Sequence, residues 1–176
     1  MAVLNPPVRP SILRPNWRFA VSHPAHFIAL GFGSGLSPVA PGTFGTAFAW
    51  ATYALFAHLF DAWQAGAFIL VATLVGWWAC TVTAARMHVL DPGAIVWDEV
   101  VAFWLVLWLI MPAGFWGQLV AFIVFRAFDA VKPGPVAWAD DLFHGFGWRG
   151  GFGILLDDFV AAFCTLFVIA AWRFFA

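Results

Sequence analysis

The position of the acids limits every fold open to this chain. It contains nine Asp and Glu residues, and eight of them fall in three short clusters at the ends of strongly apolar segments. The clusters are Asp91 with Asp98 and Glu99, Asp129 with Asp140 and Asp141, and Asp157 with Asp158. Between them the chain is almost uncharged, 64% hydrophobic and 10% charged, with a mean hydropathy of +0.90. Carboxylates at membrane depth are costly and need a partner, a metal ion or a water-filled cavity. A chain that places nearly all its acids this way points to a metal site at a membrane surface.

At 176 residues the length is that of one domain. The expected division is a cytoplasmic N-terminal arm over 1–24 and one membrane-embedded domain over 25–176. Twelve Trp and 21 Phe suit lipid contact and interfacial aromatic belts. A formal net charge of −1 gives nucleic acid nothing to bind. Cys80 and Cys164 lie inside apolar runs, where buried, unpaired thiols are expected. Arg9, Arg14 and Arg18 precede no apolar h-region or cleavage site before residue 25, so no signal peptide is expected.

Apolar periodicity breaks at charges, Gly and Pro, and predicts helices over 44–60, 66–85, 94–111, 115–131 and 152–172. That is an all-α integral membrane bundle of about five transmembrane helices. Residues 25–43 read as a short re-entrant or interfacial piece. Arg9, Arg14, Arg18, Arg86, Lys132 and Arg149 flank one set of helix ends, while the turns near 61–65 and 111–115 carry no Lys or Arg. The positive-inside rule then puts the N-terminus, the Gly/Pro-rich loop and all eight clustered acids on the cytoplasmic side. Asp61 alone falls on the other side.

Four segments carry chemistry. Gly31-Phe-Gly-Ser-Gly-Leu-Ser-Pro-Val-Ala-Pro-Gly-Thr-Phe-Gly45 precedes a helix. Its Gly33, Gly35 and Gly42 amides, with Ser34, Ser37 and Thr43, suit a phosphate cradle; a plain loop leading into the membrane has the same composition. Asp98 and Glu99 open the third helix, where neighbouring residues diverge by about 100°, so one is expected inward and the other along the interface. They read as ligands or as acids favouring a helix N-terminus. Arg126, Asp129 and Lys132 recur every three residues on roughly one helix face. There Asp binds a cation while Arg and Lys clamp phosphate oxygens, or all three form an ion-pair ladder reaching the headgroups. Asp157 and Asp158 pair inside an apolar helix, which structure alone explains least. Oxygen-only ligands favour Mg²⁺ or Ca²⁺ over Zn²⁺. His23, His26, His58 and His88 read as interfacial. His144, between acidic clusters, is the candidate proton donor.

Taken together, these segments resemble the phosphatidylglycerophosphatase A family. The resemblance rests on Gly-Phe-Gly-Ser-Gly-Leu-Ser-Pro and Pro-Gly-Thr-x-Gly at 31–45, and on Ile-Val-Trp-Asp-Glu at 95–99. It continues with Phe-Arg-x-x-Asp-x-x-Lys-Pro-x-Pro at 125–135, Trp-x-Asp at 138–140 and Gly-Ile-x-x-Asp-Asp at 153–158. It covers roughly residues 25–165. Between His144 and Gly153 this chain carries a few residues more than the family pattern, including Arg149. The resemblance implies a Mg²⁺-dependent phosphatase of the bacterial inner membrane. Its substrate would be the phospholipid phosphatidylglycerophosphate and its product phosphatidylglycerol.

On this reading Asp98, Glu99, Asp129, Asp157 and Asp158 hold Mg²⁺. Asp129, Asp158, Asp98, Arg126, Lys132 and His144 are the catalytic candidates. Direct attack by water and an aspartyl-phosphate intermediate both remain open. A cation-coupled transporter is the alternative, since intramembrane acids and broken helices fit that class too. Against it, the acids gather at one face and no internal repeat is present. A non-catalytic scaffold retaining a metal site is the third reading.

Overall fold

The computed structural model describes residues 14–143 and 145–175, and among these every regular element is helical. Two short helices, α1 (Trp17–Ala20) and α2 (Pro24–Ala29), lead into a 3-10 segment at Gly31–Leu36. Then come α3 (Pro41–Phe56), α4 (Ala62–Met87), α5 (Trp97–Ile110) and α6 (Phe115–Val131). The short α7 (Pro135–Leu142) and the long α8 (Trp148–Phe175) complete the chain.

The helix expected at 115–131 has those bounds. Others move for local reasons. α4 starts at Ala62 because Asp61 accepts from the Gln64 amide at 2.8 Å while the Gln64 side chain accepts from the Asp61 amide at 3.0 Å, a capping box. α3 starts at Pro41, whose fixed φ suits the first helical position. α6 stops at Lys132, which is left-handed (φ 48°) and precedes Pro133. The N-terminal region read as a polar arm is partly helical, since α1 and the start of α2 lie within it; residues 1–13 lie outside the described residues. The loop at 31–45 is likewise half helical.

α5 is the hub. It packs against α3, α4, α6 and α8, and all but three of its 14 residues are buried. Its tryptophans lock it in place, each satisfying its indole N–H on a neighbouring backbone. Trp97 donates to the Ala72 carbonyl at 3.0 Å, Trp104 to Ala49 at 2.9 Å and Trp108 to Ala62 at 3.1 Å. The Trp97 ring lies directly on Gly76, where a Cβ would collide with it.

α5 and α8 run parallel: Asp158 meets the start of α5, and Arg173 donates to the Ile110 carbonyl at its end, 3.2 Å away. α4 runs the opposite way, which places Ala62 and Asp61 beside Trp108 at the far end from the acid clusters. The outer faces are apolar. Leu55, Trp63, Leu70, Trp116, Phe167 and Phe174 are all exposed, a surface that calls for lipid or a partner. α4 and α8, at 26 and 28 residues with mean hydropathies of 1.8 and 2.2, are long and apolar enough to cross a membrane.

Candidate metal and phosphate centre

Asp98 and Glu99 sit in the first turn of α5, and the Trp97 indole fixes how that turn is rolled. Both are buried, at 8% and 9% exposure. The expectation that one would lie along the interface is corrected: α5 is enclosed by four helices, so no side of its first turn looks out. Asp158, about three turns into α8 and 3% exposed, meets them. Carboxylate oxygens of Asp98, Glu99 and Asp158 lie within 4.8 Å of one another. Asp129 of α6 neighbours Asp158.

Arg126 ties the remaining elements to this cluster. It forms an ion pair with Asp129, and its Nη1 lies 3.7 Å from Glu99 Oε1. The same nitrogen reaches Thr46 Oγ1 at 3.5 Å, and the Thr46 hydroxyl donates to the Gly42 carbonyl at 2.9 Å. Gly42, in the first turn of α3, packs straight onto the Glu99 carboxylate and the Arg126 guanidinium; a Cβ there would strike Glu99 Oε1 and come within 3.1 Å of Arg126 Nη1. The Gly42 amide also lies in the α3 terminus, which has no side-chain cap. The turn therefore needs glycine for a close approach of backbone to charge.

Lys132 parts from Arg126 and Asp129, contrary to the single face expected of the three. Its left-handed backbone turns the ammonium toward Asp140 Oδ1 at 2.6 Å and Asp157 Oδ2 at 2.7 Å. Partial burial opposes that charge, but the two hydrogen-bonded carboxylates outweigh it and hold the ammonium above the usual lysine range. Asp157 thus faces Lys132 while Asp158 faces the cluster, and Lys132 pins α7 against α8.

Among the loop residues expected to bind phosphate, the contacts bring Gly42 to the carboxylates. The Ser34 hydroxyl donates to the Gly31 carbonyl and that of Ser37 to the Val39 carbonyl, each at 2.8 Å. Gly33 packs on Trp17 and Gly35 on the Ala94 carbonyl. Thr43 is half-buried in the first turn of α3. His144 lies outside the described residues. Arg149 is exposed and stands over the Phe143 ring at 5.9 Å. His26, read as interfacial, is buried at 4% exposure, and Cys164 is only half-buried. Thr46 and the pairing of Asp140 with Lys132 were missed from sequence, because neither has a local motif.

The donor set fits a hard divalent cation. Asp98 Oδ1, Glu99 Oε2, Asp157 Oδ1 and Asp158 Oδ2 are buried with no hydrogen-bond partner, as is Arg126 Nε. Each orphaned group costs roughly 1–3 kcal/mol. Two carboxylates at 4.8 Å separation repel by roughly 3–4 kcal/mol at an effective dielectric near 20. A Mg²⁺ ion held by Asp98, Glu99 and Asp158 would relieve their repulsion and satisfy their orphaned oxygens; Asp157 Oδ1 and the Arg126 Nε donor lie outside that set.

Fold and site together define an all-helical protein with an apolar exterior and an oxygen-only carboxylate centre beside a half-buried arginine. The chain belongs to the phosphatidylglycerophosphatase A family, whose sequence model matches residues 27–173. It is 40% identical over 146 residues to phosphatidylglycerophosphatase A of Escherichia coli strain K12, covering 82% of this chain and 80% of that protein. It is 35% identical over 160 residues to the Haemophilus influenzae protein of the same name, covering 91% and 95%. A third relative, from Bacteroides thetaiotaomicron, is 35% identical over 153 residues (83% and 91%) and is provisionally named a phosphatidylinositol-3-phosphatase. No solved structure matches the chain. Family membership makes it a phosphatase, and nothing in these comparisons supports the transporter reading.

Proposed function

We propose that the chain hydrolyses the terminal phosphate of phosphatidylglycerophosphate to give phosphatidylglycerol and inorganic phosphate. It would do so with Mg²⁺, on the cytoplasmic side of a bacterial inner membrane. The observation that carries this reading is the convergence of Asp98, Glu99 and Asp158, with orphaned oxygens, beside the Arg126 guanidinium and Gly42.

Held by Asp98, Glu99 and Asp158, Mg²⁺ would supply Lewis-acid polarisation and an activated water. The residues do the rest. Arg126, held by Asp129, turns its remaining N–H groups to the equatorial oxygens, where charge grows in the transition state. The Gly42 amide lets the phosphate approach the backbone. A converging carboxylate takes the proton of the attacking water. Water oxygen bonds to phosphorus as the bond to the glycerol oxygen breaks, and the carboxylate passes the proton it took from water to that departing oxygen. Lys132 balances charge at the margin through Asp157.

Helix lengths support the membrane placement. α3, α5 and α6 run 14 to 17 residues, and α8 continues 17 residues past Asp158 to Phe175, about 26 Å at 1.5 Å per residue. With α4 and α8 as crossings, that length supports carboxylates near headgroup depth, where a lipid phosphate lies while its chains stay in the bilayer. The test is phosphate release by the purified protein from phosphatidylglycerophosphate, with phosphatidylinositol 3-phosphate as comparison because of the third relative. Release from the first substrate alone is expected; no release from it in excess Mg²⁺ sinks the proposal.

A further inference from the structure

We propose that the cavity between α2 and the C-terminal part of α4 binds the phosphate of an anionic phospholipid headgroup, at a site separate from the carboxylate centre. The cavity measures about 660 Å³ and is lined by His23, His26, Arg86, His88, Ser22 and Thr81, with no acid in its wall. α4 separates the two sites. It packs on α5 and α8 on one side and on α2 on the other, where its Val82, Ala85 and Arg86 line the cavity.

The threonines show that this cavity is built for a ligand. Thr46, Thr52, Thr73, Thr81 and Thr165 each donate to the carbonyl one turn back in their own helix. Thr83 does not; its fully buried hydroxyl lies 3.0 Å from His26 Nδ1. With no other acceptor for its proton among the described residues, the hydroxyl donates to Nδ1. The imidazole proton then sits on Nε2. The ring is stacked on Phe19 at a centroid distance of 4.4 Å, and Nε2 has no partner among the described protein atoms. Burial, with the charges of His23 and Arg86, lowers the His26 pKa to about 4, so the ring stays neutral and offers one oriented donor. Arg86 is exposed at the last turn of α4 and pairs with no carboxylate among the described residues.

A fixed N–H donor, a free guanidinium and two further imidazoles make a phosphate receptor. The source is a lipid. α1, which supplies Phe19, also presents Trp17 and, just after it, Val21 outward at 55% exposure each, and Arg86 closes the apolar α4 helix where headgroups lie. Free phosphate gains nothing from that apolar setting.

The test uses the full chain, labelled with ¹⁵N-histidine, in lipid-free dodecyl maltoside micelles. His26 ring resonances are followed during titration with phosphatidylglycerol, phosphatidylcholine or inorganic phosphate. The expected results are an Nε2–H tautomer before any addition and a saturable shift with phosphatidylglycerol. In Arg86→Gln, half-saturation should need about tenfold more lipid. Arg86 is exposed, so that variant keeps its fold, which an unchanged Tm verifies. An Nδ1–H tautomer, an unmoved His26 resonance, or equal titrations of the wild type and Arg86→Gln would overturn the site. Saturation by inorganic phosphate at the same concentrations would overturn the lipid assignment.

Discussion

Asp158 is one methylene shorter than glutamate and sits three turns into an apolar helix, and it meets two acids from another helix. On the proposed function its charge serves catalysis, while its shape serves packing. Asp158→Asn and Asp98→Asn keep the shape, so each should lower kcat by roughly 10²-fold or more while the fold persists. Asp61→Asn should be near neutral, because asparagine caps a helix as well as aspartate does; equal losses at Asp61 and Asp158 would mean the centre lies elsewhere. Gly42→Ala inserts a methyl between Glu99 and Arg126 and should cost at least tenfold in kcat/KM, read in the same phosphate-release assay. His26 gives a pH test of stability. Burial holds its folded pKa at about 4, below the ordinary histidine value of 6.5, so the unfolded chain binds more protons between those values. His23 and Arg86, with His88 on the same cavity wall, make that proton still less welcome. Its contribution is complete above pH 6.5 and is lost as the pH falls toward 4. Thermal melts should show Tm falling over that window, and His26→Gln should flatten the fall.

At the scale of helices, much was written in the sequence. Uninterrupted apolar runs located the five long helices, and the bounds at 115–131 needed no adjustment because Gly114 and Lys132-Pro133 punctuate both ends. α2 and α7 were missed, being too short to show a period. The partners of the acids were legible only as clusters. That Lys132 would turn away from Arg126 depended on a left-handed residue before Pro133, and that both Asp98 and Glu99 would be buried depended on α5 being central. Orientation of α5 rests on a notch, Gly76 under Trp97. Gly76→Val should push the ring out and roll the first turn. Overpacking of about 1–3 kcal/mol should lower Tm by roughly 3–10 °C, and turnover should fall although no carboxylate is touched. Gly93→Ala, where a methyl meets open space, should change neither.

For the molecule as a whole, the centre is a junction of four helices. Chelation should abolish activity and also lower Tm, since like charges are left facing one another; added Mg²⁺ should restore both. Full turnover in excess EDTA would end the metal mechanism. Sidedness is tested in a Cys-free background. Val39→Cys and Trp138→Cys, both at exposed positions on the acid-rich end, should resist an impermeant thiol reagent added to intact spheroplasts. His58→Cys, at the opposite end, should react. The reverse pattern would put the centre on the outer face. The placement of Lys and Arg predicts this sidedness without reference to any relative; the packing of α8 along the full length of α5 was beyond it.

That parallel pairing also sets an order in time. The ribosome delivers Gly42, Glu99 and Arg126 well before Asp158, so Asp98 and Glu99 are made before the third carboxylate of their triad. On the proposed reading the carboxylate triad, and with it phosphatase activity, is therefore complete only once α8, the last helix to be made, packs beside α5.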